Sequence, residues 1–261
     1  VAAGRDASIV ALGIDSCYTL VHAVFQEATM CGRLAQYRDA ERYFELLRPN
    51  PATPFATGAD AEASVSPAAF SHAPVYNVSP GTQPMILRAG GDGPEAAQAH
   101  WGYRGRAPRM YVNARVEKAA TSGYWKPLWE RGRILVPADG WFEWTGEKPN
   151  RQPHFIHRAD DEPLLLAAIL GSDGFAIITS SADAGLLDVH DRRPVALTAE
   201  GAREWLAPDT SSDDALLVTA TQALGETEFA WHAVTRAMGN VKYQAGDAVA
   251  PIGDAEPGTA S

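Results

Sequence analysis

A cysteine that directly follows a methionine, as Cys31 follows Met30, becomes an N-terminal residue once that methionine is removed. It then carries a thiol and a primary amine on the same residue. With an aldehyde, that pair closes a five-membered thiazolidine: the amine condenses at the carbonyl and the sulfur adds to the resulting imine. An α-amine titrates at about 7.7–8.0 and a thiol at about 8.5, so both are partly nucleophilic at physiological pH. The second bond is intramolecular, and such steps reach effective molarities of about 10⁵ M or more in favourable geometry. Thirty residues precede Cys31, and while they remain attached its nitrogen is a peptide nitrogen.

Other polar blocks could serve that chemistry. Asn113, Arg115 and Glu117 place an amide, a guanidinium and a carboxylate within five residues, and arginine grips phosphate bidentately. The run 139–144 (DGWFEW) sets Glu143 between Phe142 and Trp144 on an expected strand. Alternation sends Glu143 to one face and the two aromatics to the other. A carboxylate against an apolar wall has its pKa raised and becomes usable as a general acid near neutrality. His190 stands beside Arg192 and Arg193, and Trp101 offers a flat ring of the kind on which bases stack.

Each of these also has a purely structural reading: His190 as a hydrogen-bonded residue, Glu143 as the partner of an arginine, Trp101 and Trp144 as core. No Ser-His-Asp arrangement or P-loop is present. His154-x-x-His157, on an expected strand without a nearby cysteine or acidic cluster, is a poor metal site. Neither cofactor nor metal is expected.

The elements that must position these residues are short and strand-rich. Helical apolar spacing marks 39–47 and 199–206, and 181–187 also reads as a helix. Strands are expected at 83–88, 134–136, 141–144, 154–157, 164–169 and 175–179, with a turn at 89–94 and a long Pro/Ala/Ser/Thr loop over 49–74. With no repeat and no βαβ rhythm, the pattern predicts an α+β fold, a single domain with a mostly antiparallel, barrel-like core and a few helices. Residues 246–261, acidic and carrying Gly and Pro, are expected to be a disordered tail.

At 261 residues with 46% hydrophobic content, the chain has ample material for one core. Residues 1–30 lack a clean secretory signal and are too interrupted to span a membrane, so they read as a leader outside the mature protein, and a cytoplasmic location is expected. The cysteines Cys17 and Cys31 form neither a disulfide framework nor a zinc spacing. A net charge of −10 argues against general polyanion binding, yet between Trp101 and Arg151 ten cations face five anions, a local surplus suited either to phosphates or to a solvated face.

Jointly, the blocks resemble the SOS-response-associated peptidase (SRAP) family, whose members include sensors of abasic sites in single-stranded DNA. The matching segments are 30–33 (MCGR), 76–81 (YNVSPG), 101–103 (WGY), 113–117 (NARVE), 126–129 (KPLW), 139–144, Thr179, 190–194 (HDRRP) and 231–234 (WHAV). The resemblance implies a compact α+β domain over about 31–245. It implies Cys31 as the nucleophile that captures the open-chain aldehyde of an abasic deoxyribose as a thiazolidine crosslink, Asn113 positioning the amine and sugar, Glu143 as general acid/base, and His190 sharing the proton transfers. Arg33 and Arg115 would hold phosphates, with Pro80, Trp101 and Trp144 against the DNA. The implied partner is single-stranded DNA containing abasic sites, engaged by a monomer without a membrane. Two other functions stay open: a thiol autopeptidase that cleaves the bond before Cys31, and a noncovalent module for single-stranded or modified DNA.

Overall fold

The computed structural model describes residues 32–49, 70, 72–91, 93–182, 190–253 and 258–259. Cys31, the leader, most of the 49–74 loop and the helix expected at 181–187 beyond Ala182 lie outside the described residues. Among the described residues, fourteen strands and five α-helices follow in chain order: β1 Leu34–Gln36, α1 Ala40–Glu45, β2 Val75–Val78, β3 Met85–Gly90, β4 Gly93–Gln98, β5 Asn113–Arg115, α2 Val116–Ala119, α3 Lys126–Arg131, β6 Arg133–Ala138, β7 Gly140–Thr145, β8 Gln152–Arg158, β9 Leu164–Leu170, β10 Phe175–Ser181, β11 Arg192–Pro194, β12 Ala196–Leu197, α4 Ala199–Leu206, α5 Ser212–Thr221, β13 Phe229–Ala233 and β14 Gly258–Thr259.

Two sheets form. One runs β14-β13-β8-β7-β1-β2; the other runs β11-β10-β9-β6-β3-β4, with β12 beside β9 and β5 beside β10. Pairing is antiparallel except between β5 and β10, which run parallel. The fold is α+β, as expected, but the barrel-like core is corrected: each sheet ends in edge strands, and the two pack face to face. Leu34, Val78, Trp141 and Ile156 of the first sheet meet Ile86, Ile134, Val136, Leu166 and Ile177 of the second in one buried layer. The outer face of the second sheet is covered by helices through Trp129, Trp205 and Val218. The outer face of the first carries Phe142, Phe155 and Ala35 under the C-terminal segment, from which Met238 and Ala248 pack inward.

Local sequence explains several elements. The apolar run of β9 (LLLAAIL) is buried from Leu164 to Ile169, the pattern of a strand covered on both faces. Helix α4 begins where the Thr198 hydroxyl accepts from the Gly201 amide at 3.1 Å, a side-chain cap for an otherwise orphaned donor. Gln36 crosses between the sheets: its Nε2 donates to the Met85 and Pro137 carbonyls (3.0 and 2.6 Å), and its Oε1 accepts from the Met85 amide (3.1 Å). A buried amide satisfied in this way fixes where β1 sits.

Three local expectations are corrected. The strand pairing of β3 with β4 takes up most of the expected 89–94 turn, because it continues out to Gly90 opposite Gly93. Ser181 belongs to β10, paired with Arg192, and does not open a helix. The described part of the tail expected to be disordered is built into the fold. Residues Gly246–Val249 form a 3-10 turn with Ala248 buried, and the Ile252 amide donates to the Ala233 carbonyl at 3.0 Å.

Candidate functional site

The chain enters the described fold beside Glu143. Strand β1 pairs with β7 so that Leu34 faces Trp141 and Ala35 faces Gly140, and the Phe142 amide donates to the Arg33 carbonyl at 3.1 Å. Continuing that antiparallel register sets Gly32 opposite Glu143. Glu143 is 3% exposed and lies directly across the ladder from His154. Alternation places it on the same face as Trp141, toward the second sheet, while Phe142 and Trp144 pack on the outer face.

Arg33 belongs to that outer face. Its Nη1 donates to Asn77 Oδ1 at 2.7 Å and to the Met238 carbonyl at 3.0 Å, and its guanidinium lies 5.7 Å from the centre of the Trp144 ring. The expected phosphate contact is thus qualified: much of the donor capacity of Arg33 holds Asn77 and the C-terminal segment. Burial draws its pKa below the usual guanidinium value, and an arginine side chain keeps its charge. Trp144, half-buried under Arg33, is on the opposite side of the sheet from Glu143.

The second sheet turns Asn113 and Thr179 toward the same layer. Asn113 and Thr179 lie on the parallel strands β5 and β10, where Ile177 faces Asn113 and Thr179 faces Arg115. Ala114 packs on the helix side with Ile178, so Asn113 points the other way, with Ile177 and Thr179. Arg192 forks the Glu117 carboxylate with two contacts of 3.0 Å and donates to the Thr179 carbonyl at 2.7 Å. That pairing is the main reason Glu117 sits below the ordinary carboxylate pKa.

Beside this network, His190 Nδ1 accepts from the Arg192 amide at 3.2 Å and lies 2.8 Å from Asp191 Oδ1. The two contacts ask opposite roles of Nδ1, acceptor toward the amide and donor toward the carboxylate. Burial, opposed by Asp191 and reinforced by Arg151 and Arg192, holds the His190 pKa below the usual imidazole range. The ring is therefore neutral near pH 7.

Trp101 is corrected outright. It is fully buried, stacked on Phe175 with ring centres 6.3 Å apart, and its Nε1 donates to the Val112 carbonyl at 3.0 Å. No nucleotide can stack on a ring with no exposed face. Its backbone still matters to the site: the Trp101 carbonyl accepts from Gly81 and its amide donates to Thr82, which holds the turn that presents half-buried Pro80. Gly81 sits at φ +89°, a conformation that favours glycine. Arg115 is exposed at the end of β5.

Against known proteins, the model of the SOS response associated peptidase (SRAP) family matches residues 30–241. The chain belongs to the SRAP family. It is 40% identical over 238 residues to the abasic site processing protein YedK of Escherichia coli, covering 85% of this chain and all of that protein. It is 28% identical over 160 residues to the abasic site processing protein YobE of Bacillus subtilis, covering 55% of this chain and 73% of that protein. Among solved structures, a phage-related protein of Bordetella bronchiseptica superposes with a TM-score of 0.65 at 37% identity, over 79% of this chain and 95% of that one. Asn113, Glu143 and His190 all fall inside the SRAP match.

Sequence reasoning missed two features of this SRAP site. Glu117 groups in sequence with Asn113 and Arg115, but its pairing with Arg192, 75 residues away, carries no local signal. His154 reads from its spacing only as a poor metal ligand, although the expected strands 141–144 and 154–157, if paired, could have placed it against Glu143. Among the described residues no helix is long and apolar enough to cross a membrane, and no group of three potential metal ligands gathers.

Proposed function

We propose that this SRAP chain processes abasic sites in single-stranded DNA by forming a thiazolidine crosslink through an N-terminal Cys31. The reading is supported by the abasic-site names of its relatives and by one observation above the rest: the β1–β7 register that sets Gly32, the residue bonded to Cys31, opposite buried Glu143.

In this reading the closed sugar opens as Glu143 gives a proton to the ring oxygen and the anomeric hydroxyl loses its own, with neutral His190 sharing the transfer. The Cys31 amine then adds to the aldehyde, water leaves, and an imine remains. Addition of the thiol across the C=N bond closes the ring. One C–N and one C–S bond have formed, one water has left, and no redox step is needed. Asn113 orients the amine and the sugar, and Arg115 with the remaining donors of Arg33 meets flanking phosphates. The chemistry requires a free α-amine, so residues 1–30 are absent from the active form.

The test compares chains beginning at Val1 and at Cys31, each incubated with single-stranded DNA bearing one abasic site and resolved under denaturing conditions. A heat-stable adduct whose mass equals protein plus DNA minus one water, formed only by the chain beginning at Cys31, is expected. Protection of the abasic site without any adduct would replace this reading with noncovalent binding. Spontaneous loss of residues 1–30 from the longer chain, abolished by Cys31→Ala, would add self-cleavage as the maturation step.

A further inference from the structure

His154 stands directly opposite Glu143 in the β7–β8 ladder. Side chains paired across antiparallel strands share a face, with Cβ atoms about 4.5–5.5 Å apart, so the imidazole and the carboxyl belong to the same inter-sheet layer. Thr145, two residues beyond Glu143 and on the same face, fixes the ring: its hydroxyl lies 3.0 Å from His154 Nε2. The other ring nitrogen, Nδ1, is buried, and among the described residues no group pairs with it. A buried imidazole nitrogen without a partner is costly. It is unusual beside a carboxyl that has proton chemistry to perform.

The charged and titratable groups on the elements packed against His154 are few. Strand β7 supplies Glu143, β13 supplies His232, and the turn after β13 supplies Arg236, which donates to Gln152. Burial, with His232 in addition, draws the His154 pKa below the usual imidazole range. The ring is thus neutral near pH 7 and holds no fixed charge against Glu143.

We propose that His154 is a positioning residue for the proton chemistry of Glu143, its buried imidazole facing the carboxyl across the ladder and coupled to it through charge. The protonation of each group therefore depends on the other. The lone pair of the neutral imidazole favours the protonated carboxyl over the carboxylate, so Glu143 keeps its proton until the opening sugar takes it. The role in crosslinking rests on the reading above; the coupling between the two groups does not.

The experiment has two arms. In the first, the histidine rings of the intact chain are titrated by NMR with and without Glu143→Gln. Loss of the carboxylate removes the attraction for a charged imidazole, so the His154 midpoint is expected to fall by about half a pH unit or more. In the second, crosslinking rate is followed against pH for wild type and His154→Gln, which keeps a polar contact to Thr145 but does not titrate. The alkaline limb is expected to move toward acid, with a slowing of about tenfold near neutrality.

An unchanged His154 midpoint in Glu143→Gln overturns the proposal, as does an alkaline limb in folded His154→Gln that superimposes on wild type. If His154→Gln does not fold, the first arm decides alone. If wild type forms no crosslink, the function proposed above fails while the first arm still tests the coupling.

Discussion

Arg192 reaches across 75 residues of sequence to fork Glu117 with two 3.0 Å contacts, tying β11 to the short helix that follows β5. Because Asn113 and Arg115 lie on β5, the ion pair holds the strand that carries them against β10. Arg192 is nearly buried while half of the Glu117 side chain is exposed, so solvent screening reduces the value of the pair.

Glu117→Gln is expected to lower stability at pH 7 by about 1 kcal/mol. The folded pKa of Glu117 is depressed, so its contribution is complete above the unfolded carboxylate pKa and fades as pH falls through the folded value. Urea denaturation of wild type and variant at pH 7 and at pH 3 measures this. The stability gap should be larger at the first pH than at the second; an equal gap at both would mean that the charge is irrelevant.

Asp139 marks the place where the chain leaves the second sheet at β6 and enters the first at β7. Only 4% exposed, its carboxylate accepts from the Tyr37 amide at 2.6 Å and the Tyr43 hydroxyl at 2.7 Å, and pairs with Arg38 Nε at 3.2 Å. Asp139→Ala leaves these donors without their acceptor and is expected to cost about 3 kcal/mol. Thermal and denaturant unfolding check this, and a cost below about 1 kcal/mol would mean that other groups replace the carboxylate.

Long, regular segments were legible in the sequence. The helix at 199–206 is found at Ala199–Leu206, and the strands near 134, 141, 154, 164 and 175 are all present, because apolar periodicity and turn residues are local signals. Helix α5 was not legible: its apolar residues do not keep to one face, and Leu217 is 58% exposed. The split of the site over two faces of one sheet was only half legible. Alternation separates Glu143 from Trp144, but nothing local to Arg33 indicates that Asn77 and Met238 hold it on the Trp144 side. The burial of Trp101 likewise depends on Phe175 and Val112, contacts fixed by sheet packing.

The two arginines named for phosphate contact should therefore differ. Arg115 is exposed on the surface, and Arg33 is half-buried, with its guanidinium on Asn77 and the Met238 carbonyl. Arg115→Ala is expected to reduce the slope of log K against log salt for single-stranded DNA by about 0.7, the value for one phosphate no longer neutralised. Arg33→Ala should instead lower stability by about 1–3 kcal/mol as well as affinity. Binding titrations at several salt concentrations, paired with unfolding curves, separate the two, and an unchanged slope for Arg115→Ala would remove it from the DNA interface.

A nucleophile and a proton donor fail differently, which gives the sharpest test of the division of labour between Cys31 and Glu143. Cys31→Ser keeps the amine but offers a poorer ring-closing group, so an imine that borohydride traps is expected to form while the stable thiazolidine is largely lost. Glu143→Gln keeps both nucleophiles and nearly the same shape, and removes the titrating proton from the buried position opposite Gly32. It should slow crosslinking by roughly 10²-fold, the low end of general acid–base contributions, and still give the same final product. The deficit should shrink on an aldehyde that is already open, because no ring-opening proton is then required. Crosslinking of abasic DNA by Glu143→Gln at the wild-type rate would make Glu143 a structural carboxylate and leave His190, neutral and held by Asp191, as the group to test next.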